Sequence, residues 1–248
     1  FNSKLKLLIA FICFAFLVSC NNDSKNSDLE LSYFIKPEYS FMESSFKCNL
    51  ASDKTLNSVE MFIPKFVDSF LQIGDSTEEL FFLFPVNEDK TETQFFEVLL
   101  KHEETTSLDR LNSTLTALSF DEIATCKSST ILNSSLRLTK QIIIDSPVIA
   151  EKLDCEYING FNYATMKLVL EQFIDALLKN NSPVDLIYSE KEDSNHSFQW
   201  TNIFLSIESR QEFVESWQAL EISKEIQALL LEQSICQSSE LFRRYKVL

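Results

Sequence analysis

The feature that most constrains the fold of this chain is an internal repeat. When the chain is aligned with itself at an offset of 107 residues, Cys48 falls on Cys155, and the segment 66–71 (FVDSFL) falls on 173–178 (FIDALL). Near the ends of the two copies, CKSS at 126–129 matches CQSS at 236–239, at an offset of 110. Ordered matches at both ends of a segment indicate a duplicated unit.

Each copy shows the same predicted order of elements. A short alternating run with the first cysteine predicts a strand, and apolar residues three and four apart then predict a helix. Two strands, a second helix and a last strand with the second cysteine follow. The predicted strands are 45–50, 79–85, 95–102 and 123–131, then 153–158, 184–189, 198–207 and 234–242; the helices are 57–73 and 107–118, then 163–179 and 210–220, with an extra helical turn or two at 224–231.

The order β-α-β-β-α-β, found twice, predicts an α+β protein of two tandem ferredoxin-like units with antiparallel sheets. We expect the units to pack as one pseudo-dimeric α+β barrel. The predicted organisation is a signal peptide (1–19), a lipidated cysteine with a tether (20–44), repeat 1 (45–131), a connector (132–152) and repeat 2 (153–248).

The repeat also predicts how four of the cysteines pair. In the ferredoxin-like topology the first and last strands of a unit are antiparallel neighbours, at a distance that a disulfide tolerates. We therefore expect the disulfides Cys48–Cys126 and Cys155–Cys236. The alternative is four buried free thiols at equivalent core positions. Neither copy has a C-x-x-C motif, so we expect a structural role for these bridges.

The first twenty residues have the features of a bacterial lipoprotein signal. Lys4 and Lys6 precede an apolar run at 7–18, which is shorter than the roughly 20 residues of a membrane-spanning helix. The run ends in LVSC at 17–20, which resembles a lipobox, so Cys20 is the predicted lipidation site. An ordinary secretory signal is the alternative. Because Asn21 follows the cysteine, we expect an anchor in the outer membrane, facing the periplasm.

Composition excludes several functions. A formal net charge of −15 at neutral pH disfavours nucleic-acid binding. With two glycines, the chain cannot form a phosphate-binding glycine loop, and two unpaired histidines make a zinc hydrolase improbable. The G-x-S-x-G motif is also absent. We therefore predict no catalytic residues, no metal and no cofactor.

The cysteine-bearing first strands, the aromatic third strand FQWTNIF at 198–204 and the two C-x-S-S segments carry a resemblance. The chain resembles the dimeric α+β barrel superfamily, which includes antibiotic-biosynthesis monooxygenase-like and NIPSNAP-like proteins. It is similar to uncharacterised duplicated proteins of marine gammaproteobacteria. The resemblance implies the barrel fold. It leaves function open, since the superfamily includes oxygenases, haem enzymes, isomerases and binding proteins.

Strand alternation predicts a candidate cavity inside the barrel. If the first cysteines point to the helices, the residues beside them on the strand point into the barrel. The alignment of the two third strands adds Glu97, Trp200 and Asn202 to these inward-facing residues. An interior filled by self-paired side chains is the favoured alternative. We place His102 toward the helices, although it could be a haem ligand, and expect His196 to be exposed. The candidate cavity residues are Lys47, Asn49, Glu97, Asp154, Glu156, Trp200 and Asn202.

The predicted function is that of a lipid-anchored periplasmic protein without catalysis. It would bind a small apolar molecule or an envelope protein partner through the barrel interior or rim. The alternative is a cofactor-independent oxygenase or a haem-dependent enzyme of the superfamily. In an enzyme, Glu97 near Trp200 is the candidate general base.

Overall fold

The computed structural model describes residues 41–72, 79–86, 94–103, 106–127, 130–138, 147–182, 184–191 and 196–248. The predicted signal peptide, Cys20 and nearly all of the predicted tether lie outside these residues. In the part of the chain that is described, no helix has the length and apolar character needed to span a membrane.

The described chain consists of two halves with the same order of elements. The first half (41–138) contains β1 (Phe41–Leu50), α1 (Leu56–Leu71), β2 (Glu79–Pro85), β3 (Phe95–His102), α2 (Thr106–Ala117), a 3-10 turn (Phe120–Glu122), β4 (Ala124–Cys126) and β5 (Thr130–Leu138). The second half (148–248) contains β6 (Val148–Tyr157), α3 (Tyr163–Lys179), β7 (Asp185–Lys191), β8 (Ser197–Phe204), α4 (Ile207–Ala219), α5 (Glu221–Gln233) and β9 (Ser234–Lys246).

These elements differ from the predicted ones at a few boundaries. The last strand of the first half is split into β4 and β5, and β5 continues to Leu138. The predicted connector (132–152) therefore contains the end of β5 and the start of β6, which begins at Val148. The expected extra turn is the full helix α5, and Ile207 begins α4 instead of ending a strand.

The strands form a closed antiparallel barrel. Eight of them follow the order β3-β2-β9-β6-β8-β7-β5-β1, and pairing of β1 with β3 closes the ring. The short strand β4 pairs with β1 beyond the end of β5. The halves are joined by their last strands, because β5 pairs with both β1 and β7, and β9 pairs with both β6 and β2. A closed barrel leaves no long unpaired edge.

Local signals explain where several helices begin. The Asn162 side chain accepts hydrogen bonds from the backbone N–H groups of Ala164 (2.9 Å) and Thr165 (3.4 Å), which caps α3. Ser206 caps α4 in the same way, through the N–H of Ser209 (3.1 Å). The helix α1 runs through Pro64, from Leu56 to Leu71.

Both predicted cysteine pairs lie at disulfide distance. The Sγ–Sγ distance is 1.98 Å for Cys48–Cys126 and 2.03 Å for Cys155–Cys236. Each bridge joins the first strand of a half to its last strand, at positions that are directly opposite in the ladder. Cys48 packs in the core under α1, which confirms that the cysteines point to the helix side of the sheet.

Candidate functional site

The barrel interior is filled by side chains from both halves. Lys152 of β6 makes an ion pair with Glu97 of β3, and only about a tenth of each side chain is exposed. This pair links the two halves. Lys47 lies over the Phe95 ring, with its Nζ 4.2 Å from the ring centroid. The apolar layer beside the ion pair consists of Phe81, Leu83, Leu99, Val148, Ala150, Ile187, Ile203 and Phe242.

One end of the barrel opens into a polar cavity of about 280 Å³, which we call the barrel opening. Three predicted cavity residues, Lys47, Glu97 and Asp154, line it together. Asn49 and Glu156 are exposed and are not part of its lining. The full lining is Ser45, Lys47, Glu97, Lys127, Thr130, Leu132, Lys152, Asp154, Lys191, Gln199 and Glu240.

Trp200 and Asn202 were predicted to face the interior, and this prediction is wrong. Both lie on the helix side of β8, where Trp200 contacts Phe173 of α3 with ring centroids 5.6 Å apart. In the ladders, Cys48 is opposite Phe96 and Cys155 is opposite Phe198, so Glu97 corresponds to Gln199. The sequence alignment had instead placed Glu97 opposite Asn202, three residues further along β8. An odd displacement moves every side chain of a strand to the other face.

A second cavity lies on the helix side of the second half. It has a volume of about 290 Å³, and we call it the helix-side cavity. Its walls are mainly aromatic and aliphatic side chains from α3, α4, α5 and the sheet beneath them. The lining is Leu153, Cys155, Met166, Phe173, Phe198, Trp200, Asn202, Trp217, Gln227, Leu230, Ser234 and Cys236.

A chain of hydrogen bonds holds one wall of the helix-side cavity. The Trp200 indole Nε1–H donates to Asn202 Oδ1 (2.7 Å), and Asn202 Nδ2 donates to Glu151 Oε2 (3.2 Å). Arg210 at the start of α4 donates to Glu151 Oε1 through Nε (3.1 Å) and Nη2 (2.5 Å). Because charge-assisted bonds anchor its far end, this chain fixes the orientation of the Asn202 amide.

Two buried tyrosines and the half-buried Glu190 form a second polar chain in the same half. The hydroxyls of Tyr157 and Tyr188 are 2.5 Å apart, and the Tyr188 hydroxyl donates to Glu190 Oε1 at 2.5 Å. Burial raises the pKa of both tyrosines above the usual value, and the nearby charge of Glu190 raises it further. These phenols therefore stay protonated at neutral pH. Sequence analysis missed them, because tyrosines on strands do not by themselves indicate a pair.

The histidines and acids of the described residues do not form a metal site. His102 is buried on the helix side of β3, as predicted, with Nε2 2.8 Å from Ser44 Oγ, and His196 is exposed, as predicted. Among the residues that the structure describes, no group of three or more His, Cys, Asp or Glu side chains could hold a metal ion.

Comparisons with known proteins indicate the fold of the chain. No protein-family model and no curated protein matches the sequence. A candidate monooxygenase of Fusobacterium nucleatum superposes with a TM-score of 0.59 at 7% identity, over 86% of this chain and 94% of that one. A chlorite dismutase variant of Candidatus Nitrospira defluvii gives 0.57 at 7% identity, over 88% and 96%. The chain has the dimeric α+β barrel fold.

A heme-binding protein of Thermus thermophilus has the same fold, with a TM-score of 0.55 at 9% identity over 85% of this chain and 93% of that one. Haem iron in proteins is held by His, Cys thiolate, Met or Tyr. Neither histidine lines the helix-side cavity, and its two cysteines are bonded to each other. No tyrosine is among its lining residues, and Met166 is the one candidate ligand there. These residues do not fit a haem.

Sequence analysis missed most of the helix-side cavity. Phe173, Trp217 and Leu230 lie on three different helices and meet only after those helices pack on the sheet. Their helical periodicity identified them as buried residues, which is the signal of a core as much as of a cavity.

Proposed function

We propose that this protein binds a small, flat, largely apolar organic molecule in the helix-side cavity. The observation that carries the proposal is an aromatic cavity of about 290 Å³ with only a few polar groups on its walls. This volume is near the lower end of the range for small-molecule sites, and the lining has the usual character of such sites. The proposal keeps the apolar ligand predicted from the sequence and moves it from the barrel interior to the helix side.

The polar groups of the cavity support a ligand with one or two hydrogen-bonding atoms. Asn202 is held in one orientation by Trp200 and Glu151. The side chain of Gln227 on α5 makes no hydrogen bond to the part of the chain that the structure describes, so its amide is available to a ligand. Trp200, Phe173 and Trp217 provide ring faces and edges for an aromatic molecule.

Native mass spectrometry of the purified protein tests this proposal. We expect a co-purifying small molecule, or saturable binding of an added bicyclic aromatic probe such as indole. Leu230→Phe enlarges a side chain in the cavity wall and should weaken binding at least tenfold. Leu231→Phe is the matched control, because Leu231 is 72% exposed on the same helix. Equal binding by the two variants would contradict the proposal.

The second candidate function is a haem-free oxygenase acting on the molecule in this cavity. It is favoured by the shared fold of the candidate monooxygenases of Fusobacterium nucleatum and Lactobacillus acidophilus. In this function the apolar walls would exclude water from the bound molecule, and the fixed Asn202 amide would orient it. Oxygen consumption that requires the ligand and is lost in Leu230→Phe would establish it. Ligand binding without oxygen consumption would leave the non-catalytic function.

We also propose that the protein is a lipoprotein of the cell envelope, anchored through Cys20. The support is the apolar run at 7–18 followed by the lipobox-like LVSC at 17–20. Cys20→Ser should abolish incorporation of a labelled fatty acid and release the protein from the membrane fraction. A labelled, membrane-bound variant would contradict the proposal.

Duplication of one ferredoxin-like βαββαβ unit is the origin that we propose for the two halves. The matching strand orders β5-β1-β3-β2 and β9-β6-β8-β7 support it, as do the two equivalent disulfides.

A further inference from the structure

The barrel opening contains charges that neither the fold nor the proposed aromatic site explains. Four lysines and three acids line it, on strands of both halves. Lys152 and Glu97 neutralise each other at its base, and the Gln199 amide donates to Asp154 Oδ1 at 3.2 Å. Glu240 lies opposite Lys152 in the β6–β9 ladder. Of the four lysines, Lys152 is therefore the one that forms an ion pair among the described residues.

The other three lysines lack an acidic partner in the described part of the chain. Lys47, Lys127 and Lys191 form no ion pair there. The backbone N–H of Lys127 donates to the Lys47 carbonyl (3.0 Å), and Lys191 lies opposite Leu132 in the β5–β7 ladder. The strands β1 and β7, and the residue that follows β4, therefore bring unpaired ammonium groups to one concave surface.

This grouping is notable because the chain has a net charge of −15. Two other strand lysines, Lys101 and Lys246, both contact the carboxylate of Glu79. At physiological ionic strength charges more than about 8 Å apart are largely screened, so the local lysines determine which ions bind in the opening. The Ser45 and Thr130 hydroxyls on the same wall can donate further hydrogen bonds to an anion.

We propose that the barrel opening is a binding site for a small oxyanion, held by Lys47, Lys127 and Lys191. A carboxylate and a phosphate share the chemistry that lysine recognises, namely negatively charged oxygens that accept several N–H bonds. The volume of about 280 Å³ admits a small molecule but not a macromolecule. The site is separate from the helix-side cavity, since no residue lines both.

The test measures binding of inorganic phosphate and of succinate to the purified protein by isothermal titration calorimetry at constant ionic strength. We expect saturable binding of at least one of the two anions. The triple variant Lys47→Gln, Lys127→Gln, Lys191→Gln should bind it at least tenfold more weakly. The matched control is Lys65→Gln, Lys179→Gln, Lys224→Gln, which removes the same charge from exposed positions on α1, α3 and α5.

The outcomes distinguish the sources of the oxyanion and the alternatives to the site. Tighter binding of phosphate or of succinate identifies the ligand as phosphate-bearing or carboxylate-bearing. Equal weakening in the two triple variants would show a general charge effect and overturn the proposal. Failure of both anions to bind the unmodified protein would also overturn it. Indole binding in the helix-side cavity should be the same in all three proteins.

Discussion

The two halves have the same arrangement of elements but different cores between sheet and helices. In the first half, the space under α1 is filled by phenylalanines, and Phe120 packs on Phe62 and Phe96 with ring centroids 4.8 and 6.2 Å away. In the second half, the equivalent space contains the helix-side cavity. One architecture therefore supports both a packed core and a cavity.

The difference can be assigned to particular residues. At the repeat offset of 107, Phe62 corresponds to Val169, and at the offset of 110, Phe120 corresponds to Leu230. Two rings in the first half are thus replaced by two smaller side chains in the second. Interiors are close-packed, so loss of this volume leaves space unless neighbours collapse into it. Only the second half has α5, whose Gln227 and Leu230 line the space that remains.

Removing the disulfides should give the largest effect and test how similarly the halves are anchored. The bridges span 78 and 81 residues, so loop entropy predicts nearly equal losses, about 4 kcal/mol each, for Cys48→Ser with Cys126→Ser and for Cys155→Ser with Cys236→Ser. Urea unfolding measures both losses. Ligand binding should be lost only with the second pair, which lines the cavity. Loss of ligand binding on removal of the first pair alone would contradict the placement of the ligand in the second half.

Truncation of one phenylalanine in each half compares the packing directly. Phe66 and Phe173 are equivalent residues of α1 and α3; Phe66 is fully buried, whereas Phe173 lines the cavity. We expect Phe66→Ala to lower the free energy of unfolding by about 3–5 kcal/mol. Phe173→Ala should cost about 1 kcal/mol less, because a side chain beside an empty space has fewer packing contacts to lose. Equal losses would mean that the second half is packed as tightly as the first.

Placing the smaller residues of the second half at the equivalent positions of the first half tests whether they create the cavity. Phe120→Leu should cost about 1 kcal/mol of stability, because it removes ring contacts with Phe62 and Phe96. Together with Phe62→Val it should create a second site for indole, which titration would reveal as a rise in stoichiometry from one to two. An unchanged stoichiometry would show that α5 is needed to form the cavity.

A smaller effect is expected from pH at the seam where β2 meets β9. Burial raises the pKa of Glu79, but hydrogen bonds from Lys101 (2.7 Å) and Lys246 outweigh it and hold the pKa below the usual 4.5. A lowered pKa in the folded state adds stability above pH 4.5 that is lost as pH falls through the folded-state value. The stability difference between the native protein and Glu79→Gln, followed by urea unfolding, should therefore shrink below pH 4.5. A difference that does not change with pH would exclude this role.

Much of the local structure could be predicted from sequence patterns. The bounds of β2 and β3 were predicted to the residue, because both strands are short apolar runs between polar turns. Alternation also predicted the helix-side position of His102. The extent of β5 and β9 was underestimated, since each strand continues past its own half to pair with β7 or β2. No local pattern encodes such a partner.

The candidate site was predicted less well, for a geometric reason. The faces of β1 and β6 followed from the cysteines, and Lys47 and Asp154 line the barrel opening. The face of β8 depended on aligning two strands across segments of different length, and an odd error reversed it for Trp200 and Asn202. Sequence similarity between the halves is too low in β8 to correct such an error.

The sequence by itself determined the duplicated order of elements, the two disulfides and the apolar stripes, because these depend on residue type and on the periods of helices and strands. Tertiary structure alone decided that β5 and β9 join the halves into a closed barrel, that Glu97 pairs with Lys152, and that the open space lies under α3 and α5. These features depend on which distant residues meet and on how their volumes add. The order of residues along the chain specifies neither the contacts between distant residues nor the sum of their volumes.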